Sequence, residues 1–153
     1  TRRVQGACPG RFEVRVLQEG WQRPMLSEAR ALGLRAGVRA LVREVYLVCG
    51  GTPWVFARTV IPVNTLTGRR RRLRYLGSRP LGAFLFTDRS MTRGAVELTC
   101  IGPGERLYRR ATASLASLPP TIWGRRSVFR LGGKPLLVSE IFLGADGGQP
   151  GGR

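Results

Sequence analysis

The chain has 153 residues, a length that suits one domain with a single core, and its 26 Lys+Arg against 9 Asp+Glu leave a net charge of +17, nearly all arginine. The lack of any histidine excludes the Ser-His-Asp triad and the usual His-containing zinc sites, so chemistry must run on Arg, Glu, Asp, Tyr, Cys, Ser, Thr and backbone groups. No apolar run approaches the ~20 residues of a membrane span, the first residues lack the h-region of a signal peptide, and Cys8, Cys49 and Cys100, odd in number and without a CxxC pair, suit a reducing cytoplasm better than a disulfide framework.

In chain order, Arg11–Gln18 alternates Phe12, Val14 and Val16 with Glu13 and Arg15, the period of a strand, ended by Gly20. Ser27–Leu34 has helical composition, limited by Gly33 and Gly37. Leu41–Cys49 and Trp54–Ile61 are strong strand candidates joined by Gly50-Gly51-Thr52-Pro53, the residues of a hairpin connection. Thr67-Gly68 signals a turn, so Arg69-Arg70-Arg71-Arg72, with Arg74 after it, lies on a loop or at a helix start. Short helices are expected at Leu73–Gly77 and from Leu81 to Phe86, after Arg79-Pro80. Arg93–Cys100 reads as a strand, Leu107–Leu118 as a helical patch closed by Pro119-Pro120, and Arg125–Leu131 with Pro135–Leu143 as a second hairpin about Gly132-Gly133-Lys134. The Gly-rich tail, 144–153, is expected to be disordered. Hairpins outnumber strand-helix-strand crossovers, which defines an α+β class with an antiparallel sheet.

The informative residues are charges set in apolar strands. In Leu41–Cys49 the alternation puts Arg43 with Leu41, Val45 and Leu47, and Glu44 with Val42 and Tyr46. Arg58 shares a face with Phe56 and Val60, and Glu140 with Val138 and Phe142. An unpaired charge on a core face costs several kcal/mol, so each must meet a partner, a ligand or water. One solution is a buried pair of Arg58 with Glu44 or Glu140. The other is a cavity for an anion, since arginine grips a carboxylate with two parallel hydrogen bonds. Glu97, between Ala95 and Thr99, reads as structural, and Arg125-Arg126 suits either anion binding or an exposed hairpin. Cys49 and Cys100 read as inert core thiols, with no histidine to lower their pKa.

The segments Val42-Arg43-Glu44-Val45-Tyr46-Leu47, Pro53-Trp54-Val55-Phe56-Ala57-Arg58-Thr59-Val60-Ile61-Pro62, Pro80-Leu81-Gly82, Trp123-Gly124-Arg125-Arg126-Ser127 and Pro135-Leu136-Leu137-Val138-Ser139-Glu140-Ile141-Phe142-Leu143 occur in the order found in chorismate lyases. Their number and order make the resemblance specific, and it runs from about Thr1 to Leu143. It implies a single α+β domain over 1–143 with a six-stranded antiparallel sheet and helical flaps over a buried ligand site. It also implies conversion of chorismate to 4-hydroxybenzoate and pyruvate for ubiquinone synthesis, tight retention of the aromatic product, and no cofactor or metal. By motif position, Arg43 would hold a carboxylate together with the backbone amide of Leu81, Glu140 would face the hydroxyl across the ring, and Arg58 would be a second cavity arginine near the enolpyruvyl carboxylate. The catalytic residues would be Arg58, stabilising charge on the departing enolpyruvyl group, and Glu140, orienting the hydroxyl or assisting proton movement. The helical segment that family members usually carry before the position of Thr1 is expected to be missing.

A cytoplasmic monomer is expected, with no specific nucleic-acid partner and no membrane span. Two other readings stand beside it. One is a UTRA-like domain, similar in fold, that binds a small molecule without converting it. The other is a basic nucleic-acid-binding protein, resting on the charge and on Arg69–Arg72; no base-stacking aromatic interleaves that run.

Overall fold

The computed structural model describes residues 2–143; the tail expected to be disordered lies outside them. A short helix α1 (Arg2–Ala7) precedes β1 (Phe12–Gln22), α2 (Leu26–Leu32), β2 (Ala40–Cys49) and β3 (Thr52–Ile61). Two 3-10 turns follow, at Val63–Thr65 and Gly68–Tyr75, then α3 (Leu81–Thr87), β4 (Thr92–Arg93), β5 (Glu97–Ile101), α4 (Arg106–Thr112), β6 (Ile122–Leu131) and β7 (Lys134–Phe142). The strands form one antiparallel sheet in the order β1-β2-β3-β7-β6-β4, with β5 also on β6. Seven strands therefore make a sheet six positions wide, because β4 pairs with Phe129 and Arg130 while β5 pairs with Ile122 to Arg126. The single strand expected over Arg93–Cys100 is thus split in two. Both central hairpins turn at Gly-Gly pairs, Gly50-Gly51 and Gly132-Gly133, whose φ values of 56°, 83°, 58° and 80° are the left-handed pair that a tight hairpin requires.

Helices cover both faces of β2, whose ten residues are all buried. On one face α2 brings Leu32 against Ala40, Val42, Val60 and Leu137. On that same face α4 packs Tyr108 and Ala111 against Tyr46, Phe56 and Ile141. On the opposite face the 3-10 turns and α3 supply Leu66, Leu73, Leu76, Leu81 and Leu85 to a cluster with Leu41, Ile61, Leu131 and Leu136. We call these the far and near faces.

Arg58, with a side chain 0% exposed, lies on the far face. Its Nε and Nη2 donate to Glu28 Oε2 and Oε1 at 2.8 and 2.9 Å, and its Nη1 donates to Glu44 Oε2 at 2.8 Å. Glu28 also caps its own helix, accepting from the Met25 amide at 2.8 Å. Arg110 of α4 completes the network on Glu44, with Nε at 2.8 and 2.7 Å from the two carboxylate oxygens. Two arginines and two glutamates therefore neutralise each other while fastening both far-face helices to the sheet. This corrects the expectation that Arg58 is a cavity arginine. Strand alternation turns Arg43 and Arg58 to opposite faces, because Arg43 is registered with Thr59 and Arg58 with Glu44. Of the partners open to it from sequence, Arg58 takes Glu44, and Glu28 of α2 is added.

The cysteines also differ from expectation. Cys8 and Cys49 form a disulfide, with Cα atoms 5.7 Å apart. The β1/β2 register sets Phe12 beside Cys49, and the turn after α1 brings Cys8 to the same end of the sheet. Cys100 is exposed, because β5 lies on the sheet edge. In protein kept free of reductant, a maleimide should label Cys100 alone; labelling of all three thiols would show the Cys8–Cys49 pair to be open.

Burial alone would raise the Glu44 carboxyl, but hydrogen bonds and charge from Arg110 and Arg58 outweigh it and hold the group below its ordinary value of 4.5. A carboxylate depressed in the folded state contributes stability that is present above its unfolded pKa and lost as pH falls through the folded one. Urea midpoints measured from neutral pH downward should fall on the acid side of pH 4.5, and Glu44→Gln should flatten that fall. Arg58→Ala leaves two buried carboxylates short of their partner and should cost on the order of 3–5 kcal/mol in the same measurement.

Candidate active site

The register of the near face sets up a row of side chains. Arg125 of β6 lies opposite Glu140 of β7, which lies opposite Ala57 of β3, which lies opposite Val45 of β2. The adjacent row places Arg43 opposite Thr59, and Thr59 opposite Val138. Together these form the floor of a cavity roofed by Leu81, Gly82, Leu85 and Phe86 of α3 and flanked by Met91, Arg93 and Phe129. Its volume of about 170 Å³ is in the class that admits one benzene-like ring. Most of the floor and roof is apolar, so the few charged groups in it act in a poorly hydrated space.

Arg43 is held by its Nη2, which donates to the carbonyls of Gly77 and Arg79 at 2.9 and 3.0 Å. Its Nε is buried and has no hydrogen-bond partner among the described residues. Burial pushes the Arg43 guanidinium below its ordinary value, and the charge of Glu19 opposes that shift in part. Arg125 and Glu140 meet loosely, with Nη2 to Oε1 at 3.4 Å, and Arg125 also sits over the Phe142 ring at 5.5 Å. Arg125 Nε and Glu140 Oε2 are likewise buried and unpartnered. Arg93 is exposed at the rim, 5.2 Å over the Phe129 ring, with Nε donating to Ser127 at 3.2 Å. Buried polar groups are ordinarily satisfied; Glu19 Oε1, opposite Arg43 but outside the cavity lining, is orphaned too, and the three orphaned atoms of cavity residues suit an anionic ligand that also carries a hydroxyl.

The structure thus brings Arg43, Leu81 and Glu140 together and leaves Arg58 behind the sheet. It adds Arg125, which sequence left between two roles, and Arg93 and Glu19, which sequence missed. Glu19 was hidden by a β-bulge: pairing shifts between Val16 and Gln18, so Glu19 lands opposite Arg43 instead of on the other face. Arg126 faces away, toward Glu97 at 3.3 Å and Ser27 at 3.2 Å. Among the described residues no group of three His, Cys, Asp or Glu side chains could hold a metal ion, and no helix is long and apolar enough to cross a membrane.

An antiparallel sheet covered by helices on both faces, with a small cavity under one short helix, defines the class of small-molecule-binding α+β domains. Solved structures share this fold. The C-terminal domain of the histidine utilization repressor from Pseudomonas syringae pv. tomato str. DC3000 superposes with a TM-score of 0.65 at 14% identity, over 94% of this chain and 98% of that one. The effector domain of PhnF from Mycobacterium smegmatis gives 0.64 at 16% identity, over 88% and 82%. At such identities the likeness concerns fold alone. Sequence carries it further: the chorismate lyase family model matches residues 1–146, and the chain belongs to that family. A relative from Azoarcus sp. (strain BH72), named probable chorismate pyruvate-lyase, is 49% identical over 98% of this chain and 81% of its own length. Another of that name, from Methylococcus capsulatus (strain ATCC 33009 / NCIMB 11132 / Bath), is 44% identical over 95% and 88%.

Ala57 lies on the cavity floor beside Glu140, where a larger side chain would fill the ligand space without touching the far-face network. Ala57→Leu should weaken binding of a benzoate-type ligand by about five- to a hundredfold, from an overpacking cost of ~1–3 kcal/mol set against the ligand, with the urea midpoint nearly unchanged. Calorimetric titration alongside unfolding checks both halves.

Proposed function

We propose that the chain is a chorismate pyruvate-lyase that converts chorismate to 4-hydroxybenzoate and pyruvate with no cofactor. The observation that carries this is the set of unpartnered buried atoms, Arg43 Nε, Arg125 Nε and Glu140 Oε2, around a cavity for one ring. Chorismate offers two carboxylates and a hydroxyl on such a ring. In this reading Arg43 and the Leu81 amide, an N–H left free in the first turn of α3, hold the ring carboxylate. Glu140, two strands away and so roughly 10 Å distant at the backbone, faces the hydroxyl at the other end of the ring. Arg125 takes the enolpyruvyl carboxylate, the role that Arg58 cannot fill from the far face.

The reaction breaks the carbon–oxygen bond between ring and enolpyruvyl group, removes the hydrogen from the hydroxyl-bearing ring carbon, and adds a proton at the enolpyruvyl methylene. Aromatisation supplies much of the driving force, so the residues need only fix a reactive pose, exclude water and stabilise charge on the departing group. In this reading Arg125 stabilises that charge, and Glu140 orients the hydroxyl or assists proton movement. Product 4-hydroxybenzoate keeps the Arg43 and Glu140 contacts, which supports its tight retention. The proposal extends to a monomer, with the product entering ubiquinone synthesis; the Cys8–Cys49 disulfide takes away the cysteine argument for a reducing cytoplasm.

Incubation with chorismate, following absorbance of 4-hydroxybenzoate and release of pyruvate, should show stoichiometric formation of both. Binding without either product would leave a UTRA-like binding domain instead. Arg125→Ala should lower kcat/KM by about ten- to a hundredfold, the worth of a charge-assisted hydrogen bond, with much of the loss in kcat. An effect confined to KM would remove the charge-stabilising role.

A further inference from the structure

The four-arginine run plays no part in the cavity, yet the fold gives it a defined shape. Gly68–Tyr75 is a 3-10 turn, in which every third residue shares a face. Arg70, Leu73 and Leu76 therefore point inward: Leu73 and Leu76 join the near-face core, and Arg70 pairs with Asp88 at 3.1 Å. Arg69, Arg71, Arg72, Arg74 and Tyr75 are turned outward and exposed. None of these four arginines is ion-paired among the described residues, whereas Arg58, Arg70, Arg110, Arg125 and Arg126 all are. The ridge has an aromatic flank as well. Arg74 lies 5.7 Å over the Trp21 ring and 5.8 Å from the Tyr75 ring, and these rings are 40% and 69% exposed.

We propose that this ridge docks the protein on an anionic bilayer surface. Unneutralised arginines set beside exposed Trp and Tyr match both parts of such an interface: anionic headgroups attract the guanidinium groups, and amphipathic rings settle at headgroup depth. A nucleic acid satisfies the charge, but no aromatic interleaves Arg69–Arg72 to stack a base, and the two rings stand together at the flank of the ridge. The ridge runs directly into Gly77 and Arg79, whose carbonyls hold Arg43, so the docked face lies beside the cavity wall.

The test is sedimentation with vesicles of phosphatidylcholine alone and of phosphatidylcholine with phosphatidylglycerol, against single-stranded RNA as competitor. Binding is expected only with phosphatidylglycerol, weakening with salt, with a blue shift of tryptophan emission that Trp21→Phe removes. Replacing Arg69, Arg71, Arg72 and Arg74 together by Ser should reduce partitioning on the order of a hundredfold or more, at several-fold per arginine. A control removing the exposed Arg11, Arg30, Arg106 and Arg109 changes net charge equally and should cost less than about tenfold, since Arg11 lies at the other end of β1 from Trp21 and the rest are on the far-face helices α2 and α4. If the ridge variant has a lowered unfolding midpoint, the pair Arg69→Ser with Arg72→Ser should still cost at least about tenfold. Equal losses from ridge and control, or displacement of the protein from vesicles by RNA at matched charge, would overturn the proposal.

Discussion

A guanidinium buried in a protein must face negative charge, and the two sides of this one sheet meet that requirement in opposite ways. On the far face Arg58 donates three hydrogen bonds to Glu28 and Glu44, with Arg110 neutralising the second carboxylate. That arrangement is closed: it ties α2 and α4 to the sheet and asks for no ligand. On the near face Arg43, Arg93 and Arg125 outnumber Glu140 on the cavity wall, and Nε atoms of two of them stay unpartnered. Glu19, opposite Arg43, offsets part of that charge, but among the described residues no side chain partners those Nε atoms, and the proposed substrate site is on that side.

The near-face anchor is itself set by the segment between the sheet and its roof. Leu73 and Leu76 fix the 3-10 turn in the core, and the chain then passes Gly77, with φ of 58°, and Arg79. Their carbonyls occupy one nitrogen of Arg43 and leave Nε turned elsewhere. Pro80 starts α3, so the residues that hold the arginine run straight into those that roof the cavity.

Much of this architecture is visible in the amino-acid pattern because local rules govern it. The Gly-Gly hairpins, the opposite facing of Arg43 and Glu44, and the helix after Pro80 all follow from periodicity and turn chemistry. The features that escaped depend on pairing between distant elements. Alternation shows that Arg58 leaves the face of Arg43 only when the β2/β3 register is known, and its second partner, Glu28, arrives on a helix thirty residues away. A bulge near Leu17 reverses the facing of Glu19. Arg125 acquires meaning only from lying opposite Glu140. The disulfide was hidden for the same reason, since Cys8 and Cys49 are 41 residues apart in sequence. Motif resemblance placed Arg43, Leu81 and Glu140 in one cavity but carried Arg58 along with them, because motif order does not register which side of a sheet a side chain occupies.

The account turns on an incomplete near face, and a crystal structure with 4-hydroxybenzoate bound tests it most directly. The predicted result has the carboxylate on Arg43 beside the Leu81 amide, the hydroxyl within hydrogen-bond distance of Glu140, and the Arg58–Glu28–Glu44 network unchanged behind the sheet. A ligand lodged instead on the far face, among Glu97, Arg106 and Arg126, or one that drew Arg58 away from its glutamates, would contradict it.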